Sequence, residues 1–405
     1  MNHPDKYKTR RYDTADRCKA FTDSVYHDHS ENRNELWGEI TKHRRSFDPP
    51  DPEYRAFVGE MHGHTLLSDG GVDIDTYFKN VRDNAKLDFC AISDHDHGGV
   101  GTPNLYEGGK DSKWELIKRK VKEYREDGKF TTILAYERDS YPFFNNLVLY
   151  FRDDDADMVL DERMGEFTEE GFRKVLSDPN IIVVPHDTYS FTSNGDFTKL
   201  DLSLMPQLME IISRGDAAEY MGNPAFCMPT CCEGGFYQDA LRRGAKIGCI
   251  GGSDDHAGQN GIVVEGYGYP EMYPGVTGVW ATENTHDAIF DALVAKRTYA
   301  FMLGNPEGEM RGRIEIDFRI NGHWMGETIK RPEERDLKIF FNVKADVPVK
   351  AITLVKNCRN YIMMRCNREL IFDYEQEQDT DSYYLRVELQ DGRFGWTSPI
   401  WVERN

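Results

Sequence analysis

Two histidines one residue apart, followed closely by Ser-Asp-Gly, stand in the segment Met61-His62-Gly63-His64-Thr65-Leu66-Leu67-Ser68-Asp69-Gly70. On a β-strand, positions i and i+2 face the same way, so His62 and His64 can present two imidazoles to one cation. Asp69 lies past a turn, where its carboxylate can reach a neighbouring ion. The pair alone says little. The chain has 12 histidines, and a random order would give about 0.4 such pairs; the chain has pairs at 27/29, 62/64 and 95/97. His27 and His29 sit in a charged amino-terminal stretch with neither a strand nor a Ser-Asp-Gly beside them, and read as solvated surface residues.

What strengthens the 62/64 pair is the company it keeps. Ser93-Asp94-His95-Asp96-His97 follows an apolar run that ends at Ile92. Glu137 closes the run Thr132 to Tyr136, and His186 closes Ile181 to Pro185. Gly251-Gly252-Ser253-Asp254-Asp255-His256 follows a run that ends at Ile250. One polar residue at a strand end is commonly a cap or a turn former. A whole set of imidazoles and carboxylates at carboxyl ends is what barrel enzymes use to build active sites. Mixed ligation of this kind suits Zn, Mn or Fe. Water held by such cations can fall to a pKa of about 7, which supplies hydroxide at neutral pH without a Ser or Cys nucleophile.

Weaker candidates surround this set. Arg138 and Arg214 could clamp an anionic substrate, and equally read as surface ion pairs. His97 and Asp96 could protonate a leaving group or join the ligand set, and equally read as a solvated loop. Cys227, Cys231 and Cys232 match zinc-site spacing poorly, because one pair is adjacent.

The elements that must position these groups are short apolar runs: 57–61, 89–92, 132–136, 147–151, 181–184, 208–212 and 247–250. Most are continuous rather than alternating, as expected of parallel strands covered on both faces. Helix-like segments fall between several of them, at 75–84, 114–126 and 168–176. The pattern predicts an α/β fold with a seven-stranded β/α barrel. After about residue 310 the period changes to two, with Ile314, Ile316, Phe318 and Ile320, then Leu337, Ile339, Phe341 and Val343, then Tyr383, Leu385, Val387 and Leu389 on one face each. Strands of that kind without helices between them predict a β-sandwich. The expected organisation is a polar extension over 1–55 ending in Pro49-Pro50-Asp51-Pro52, a hydrolase barrel over 56–310 and a sandwich over 311–405, with Trp396 and Trp401 in core or interface.

Composition narrows the partners. With 39% hydrophobic residues the chain can bury a core, and 70 acidic against 50 basic residues give a formal charge of -20. That field repels nucleic acid and favours a small anionic substrate drawn in by local cations. No apolar run is long enough to span a membrane, and the amino terminus lacks an apolar leader segment. Eight sparse cysteines do not form a disulfide framework. A cytoplasmic location is the expectation, with self-association into a homo-oligomer left open.

From about Gly59 to Ala300 the chain resembles the polymerase-and-histidinol-phosphatase (PHP) family of metal-dependent phosphoesterases. The resemblance rests on His62-x-His64 with Ser68-Asp69-Gly70, on Ser93-Asp94-His95, on Glu137, on Pro185-His186 and on Ser253-Asp254-x-His256. Phe290-Asp291-Ala292-Leu293, Arg297-Thr298-Tyr299-Ala300 and the tail Trp396 to Trp401 are similar to an uncharacterised bacterial branch of that superfamily. The resemblance implies a distorted seven-stranded barrel and hydrolysis of a phosphorylated mono- or diester through metal-activated water. It implies two to three divalent transition metals: His62, His64, Glu137 and Asp254 on the first, Glu137 and His186 on the second, Asp69, His95 and His256 on the third. Glu137, Asp254 and His256 would then be catalytic. The family pattern places a further histidine near the strand after the glutamate; here Asn146 is the expected occupant, and its neutral amide oxygen is a weaker ligand. Hydrolysis of a non-phosphate bond, or a non-catalytic metal- or ligand-binding barrel, are the alternatives.

Overall fold

The structure is a computed structural model that describes residues 53–97, 103–139, 144, 146–159, 168–190, 195–213, 216–225, 231–258, 273–333, 336–365, 368–373 and 376–405. Residues 1–52, His27 and His29 among them, Arg214 and Cys227 lie outside the described residues. Each of the seven apolar runs overlaps a strand: β1 (Arg55–Glu60), β2 (Phe89–Ala91), β3 (Thr131–Asp139), β4 (Asn146–Phe151), β5 (Ile181–His186), β6 (Leu208–Ser213) and, after a two-residue β7 (Asp216–Ala217), β8 (Gly248–Gly251). Strands β9 (Gly275–Ala281) and β10 (Thr298–Met302), which the apolar runs do not mark, follow.

Helices bridge these strands where capping chemistry opens them. Asp73 accepts from the backbone of Asp75 and Thr76 to start α1 (Ile74–Lys79), which passes into one wide turn over Asn80–Asn84. Ser112 caps α2 (Lys113–Tyr124), and Thr168 caps α3 (Glu169–Ser177). The helix α4 (Tyr237–Arg242) precedes β8, and α5 (His286–Val294) joins β9 to β10. Each side-chain cap satisfies a backbone N–H that the first turn leaves without an intrahelical partner.

The chain is a mixed α/β protein built on one large sheet. Strands β1, β2 and β3 pair in parallel. Strand β4 departs from the parallel expectation, pairing antiparallel with both β3 and β5. The reason is connection length: the link from Asp139 to Asn146 is too short for the crossover that a parallel neighbour requires. On its other edge β1 takes β9 antiparallel, and β6, β7 and β8 form a separate small sheet in which β6 and β8 are parallel. Among the described residues these ladders stay in two pieces and do not close a ring. The segments that follow β1 and β8 do meet: Gly63 bridges Asp255, and Asp254 N donates to the His62 carbonyl at 2.8 Å. Met61, Phe89, Ala135, Val148, Val184 and Leu208 form a buried cluster that α5 joins through Ile289, Phe290 and Leu293.

The second part is all β: β11 (Ile314–Ile320), β12 (His323–Trp324), β13 (Thr328–Lys330), β14 (Asp336–Ala345), β15 (Val349–Lys356), β16 (Arg359–Met364), β17 (Arg368–Asp373), β18 (Thr380–Leu389), β19 (Phe394–Thr397) and β20 (Ile400–Glu403). Strands β12, β11, β14 and β17 make one antiparallel sheet. The others extend the large sheet, in the order β13-β20-β18-β19-β10-β9-β1, with β15 attached to β18 and β16 to β15. Hydrogen bonding therefore crosses the expected boundary near residue 310, because β10 pairs with β19 over Tyr299–Thr397 to Phe301–Gly395. Trp396 and Trp401 are buried. Among the described residues no helix is long and apolar enough to cross a membrane.

Candidate metal centre

The carboxyl ends of β1, β3, β5, β6 and β8 converge, and backbone contacts lock the convergence. Glu60 Oε1 accepts from His62 N at 2.9 Å and from Ser253 N at 3.0 Å, tying the end of β1 to the segment after β8. Ser93 Oγ accepts from Gly63 N at 3.0 Å. Gly63 itself leaves room for Tyr77, whose hydroxyl would lie 2.3 Å from any Cβ there. Asp94 shapes the following loop, accepting from Thr65 N and Thr65 Oγ1 and from Ser68 Oγ at 2.6 Å. Asp254 has a positive φ of 47°, a region costly for a residue with a Cβ and one that turns its carboxylate back on the histidines.

Four donor atoms meet at the centre. His62 Nε2 lies 3.3 Å from His64 Nε2, 3.1 Å from Glu137 Oε2 and 3.4 Å from Asp254 Oδ1. His64 Nε2 lies 3.2 Å from the same Glu137 oxygen and 3.0 Å from the same Asp254 oxygen. A tetrahedral cation with ligands at 2.0–2.1 Å has ligand-to-ligand edges of about 3.3–3.4 Å. Five of the six edges, at 3.0–3.4 Å, are close to that size, and all four atoms lie within 4.8 Å of one another. The donor set fits a cation of the Zn, Mn or Fe class. Glu137 Oε1 is buried without a hydrogen-bond partner among the described residues, a second lone-pair oxygen at the edge of the same group.

The electrostatics of the metal-free chain follow from that crowding. Burial opposes a charge on His62, but Glu210 and Asp254 outweigh it and raise its pKa to about 10. His64 is raised as well, against burial, by hydrogen bonds to Asp254 and Glu137. Glu137 and Asp254 are held well below the usual carboxylate range, since the histidines overcome the burial that would raise them. Glu60 goes the other way: burial lifts it to about 8 despite two backbone donors. Protonated imidazoles here hold the positive charge that a cation would supply.

A second group opens toward solvent. His95 Nε2 and His256 Nε2 stand 3.5 and 3.3 Å from Asp69 Oδ1, and His64 Nδ1 stands 3.8 Å from it. The His64 ring packs against those of both His95 and His256, with centroids 4.3 and 4.1 Å away. Asp69 is 46% exposed whereas His64 is fully buried, so this group forms the rim and the tetrahedral group the floor.

His186 Nδ1 is 3.4 Å from Glu210 Oε2, and its Nε2 is 3.4 Å from Asp254 Oδ2. Asn146 pairs with both Asp139 and His186 in the ladders. Strand alternation therefore puts Asn146 on the face that carries Glu137 and His186. Glu210 is the residue that sequence reasoning missed. It is fully buried, 2.8 Å from His62 Nδ1, and groups with His62 and His186; burial would raise its carboxyl, but the two histidines bring it down to about 2. The signal was a lone carboxylate inside Leu208-Met209-Glu210-Ile211-Ile212, where an unpaired charge would be costly.

Of the weaker candidates, Arg138 is ion-paired with Asp96, which withdraws it from the role of an open anion clamp. His97 is exposed and its ring stacks on His95 at 5.1 Å. Cys231 and Cys232 are unoxidised thiols, the second exposed, and among the described residues no metal-binding group contains them.

Residues 263–302 match the family model described as a protein of unknown function, DUF3604. An uncharacterized protein of Chlamydia pneumoniae is 20% identical over 375 residues, spanning 86% of this chain, and one of Chlamydia trachomatis is 22% identical over 379 residues, again 86% of this chain. The chain spans 57% of the length of these curated relatives. Among solved structures, a two-domain protein of Bacteroides vulgatus, described as containing a predicted PHP-like metal-dependent phosphoesterase, aligns with a TM-score of 0.43 at 14% identity, over 88% of this chain and 99% of that one. Similarity at this level leaves the chemistry to be argued from the side chains of the chain itself.

Proposed function

We propose that the chain is a metal-dependent phosphoesterase acting on a small phosphate mono- or diester. The observation that carries this reading is the set of four buried donor atoms, five of whose six separations are 3.0–3.4 Å, with a second imidazole–carboxylate group opening from it to the rim. Two or three divalent cations of the Zn, Mn or Fe class would acidify water there and neutralise phosphoryl charge. His62, His64, Glu137 and Asp254 would hold the first, Glu137 with His186 and Asn146 the second, and Asp69, His95 and His256 the third.

The chain's own residues divide the remaining work. Glu137 offers one oxygen to the tetrahedral group and keeps another beside it. His256 Nδ1 lies 3.0 Å from the Asp254 carbonyl; donating there leaves the Nε2 lone pair directed at the Asp69 group, where it would bind the third cation. The charge of -20 favours one small phosphorylated anion over a polynucleotide. We read the two sheets as facing halves of a distorted barrel, and residues 311–405 as a sandwich that supports it.

The test is turnover by purified protein against phosphomonoesters, cyclic phosphates and phosphodiesters, with bound metal quantified. Hydrolysis of at least one class is expected, and His62→Ala or Asp254→Ala should cut metal content and lower turnover by about 10²-fold or more. Fully loaded protein that cleaves amides or lactones and no phosphate ester would replace this reading with hydrolysis of another bond. Variants that keep both metal and turnover would overturn the site.

A further inference from the structure

We infer that Glu210 is a positioning residue that fixes which ring nitrogen His62 and His186 turn toward the cation cluster, an inference that rests on the metal centre proposed above. Strand alternation sets Glu210 on the same face of β6 as Leu208, which is part of the inner apolar cluster. A carboxylate in that position must be paired to be tolerated. Its neighbours are the same atom on two rings: Oε2 is hydrogen-bonded to His62 Nδ1 at 2.8 Å and lies at ion-pair distance, 3.4 Å, from His186 Nδ1, which has no hydrogen-bond partner among the described residues.

The opposite nitrogens face the cluster. His62 Nε2 is 3.1 Å from Glu137 Oε2, and His186 Nε2 is 3.4 Å from Asp254 Oδ2. A neutral imidazole carries one N–H, and an ionised carboxylate only accepts. Glu210 therefore holds the His62 N–H at Nδ1 by a hydrogen bond, draws the His186 N–H to Nδ1 by its nearby charge, and leaves both Nε2 lone pairs toward the carboxylates that would share a cation. The negative charge behind the ring also makes Nε2 a stronger donor to metal, as carboxylate–histidine pairs do.

Glu210 as a direct ligand fits less well. A cation on Glu210 Oε2 and His62 Nδ1 would need His62 to bind metal through both nitrogens at once, since Nε2 belongs to the tetrahedral group. The space beside it is also closed. A Cβ on Gly252 would lie 2.9 Å from Glu210 Oε1 and 2.4 Å from His62 Cβ, so that backbone packs directly against the pair.

The experiment uses the full chain loaded with Zn(II) alone. Nitrogen-15 NMR of the histidines reads the tautomers, and titration against a competing chelator reads affinity and stoichiometry. In the wild type, both His62 and His186 should be protonated at Nδ1. In Glu210→Gln the number of zinc ions at saturation should stay the same, the affinity of the tightest site should fall about 10- to 100-fold, and the single-tautomer signals should be lost. A proton on Nε2 of either ring in the wild type overturns the inference without any variant. So does loss of one zinc equivalent in Glu210→Gln, which makes Glu210 a ligand, or unchanged affinity with unchanged tautomers, which leaves it a packing residue. Wild type that binds zinc but hydrolyses no phosphate ester removes the phosphoesterase reading alone; wild type that binds no zinc removes both.

Discussion

In the metal-free chain His62 is charged where a cation would need it neutral, and this sets opposite responses to pH. Its pKa of about 10 lies above the ordinary 6.5, so protonated His62 contributes stability that is complete below 6.5 and lost as pH rises through about 10. Glu60 acts in the same direction: burial lifts it from 4.5 to about 8, and its contribution is lost as pH rises through that value. Metal binding instead competes with protons and strengthens with pH. Between pH 6.5 and 10 the melting temperature of chelator-treated protein should fall while that of loaded protein rises. Thermal denaturation of both forms tests this, and parallel slopes would refute it. Asn146 calls for a separate measurement. If its amide stands in for an imidazole, metal titration should resolve one weak step, and Asn146→His should tighten that step about tenfold or more; equal high-affinity steps in the wild type would remove the assignment. Most of the centre was legible because its members close apolar runs. Glu210 was not, because a carboxylate in the middle of such a run looks like an interruption until strand alternation places it against His62.

At the scale of elements, the apolar runs marked strands but not their directions. A strand buried on both faces is equally apolar whether parallel or antiparallel, so only the short link before Asn146 carried the direction of β4. Strands β9 and β10 escaped for a different reason. In Gly275-Val276-Thr277-Gly278-Val279, glycine and Thr break up the apolar run, and the glycines exist to admit neighbours: a Cβ on Gly278 would lie 2.0 Å from the Tyr299 ring. The alternating segments after residue 310 were easier, since period-two strands announce themselves. What no local pattern revealed is the polar knot that joins the two parts. Glu219, fully buried, accepts from Arg386 Nε at 2.6 Å, Arg386 Nη2 at 2.7 Å, Tyr384 Oη at 2.5 Å and Trp396 Nε1 at 2.9 Å. Removing one partner of such a pair leaves an uncompensated buried charge. Glu219→Ala should therefore cost about 3–5 kcal/mol in urea denaturation. A loss below about 1 kcal/mol would mean that water replaces the carboxylate, and that the knot is not structural.

For the molecule as a whole, the question is whether residues 56–310 could carry the centre alone. The centre's scaffold is the edge of a sheet that does not stop at the expected boundary. Strand β1, which delivers His62 and His64, is hydrogen-bonded to β9, β9 to β10, and β10 to β19 near the carboxyl terminus. The small sheet is held from the same side: Ser398 Oγ accepts from Cys249 N at 2.9 Å, and Thr298 Oγ1 donates to the Cys249 carbonyl at 2.7 Å. Cys249 lies on β8, five residues before Asp254. Deleting the carboxyl-terminal part would thus expose an unpaired edge on β10, strip the cover from Cys249 and leave Glu219 buried or newly wet without Arg386. Exposed edges of this kind template aggregation. A fragment covering 53–310 is accordingly expected to be insoluble, or soluble with lower metal affinity than the full chain. Expression of both, with sedimentation, circular dichroism and zinc titration, decides it. A soluble, cooperatively unfolding fragment with the zinc affinity of the full chain would show that the centre stands on β1 to β8 alone, and that the shared sheet is a joint rather than a foundation.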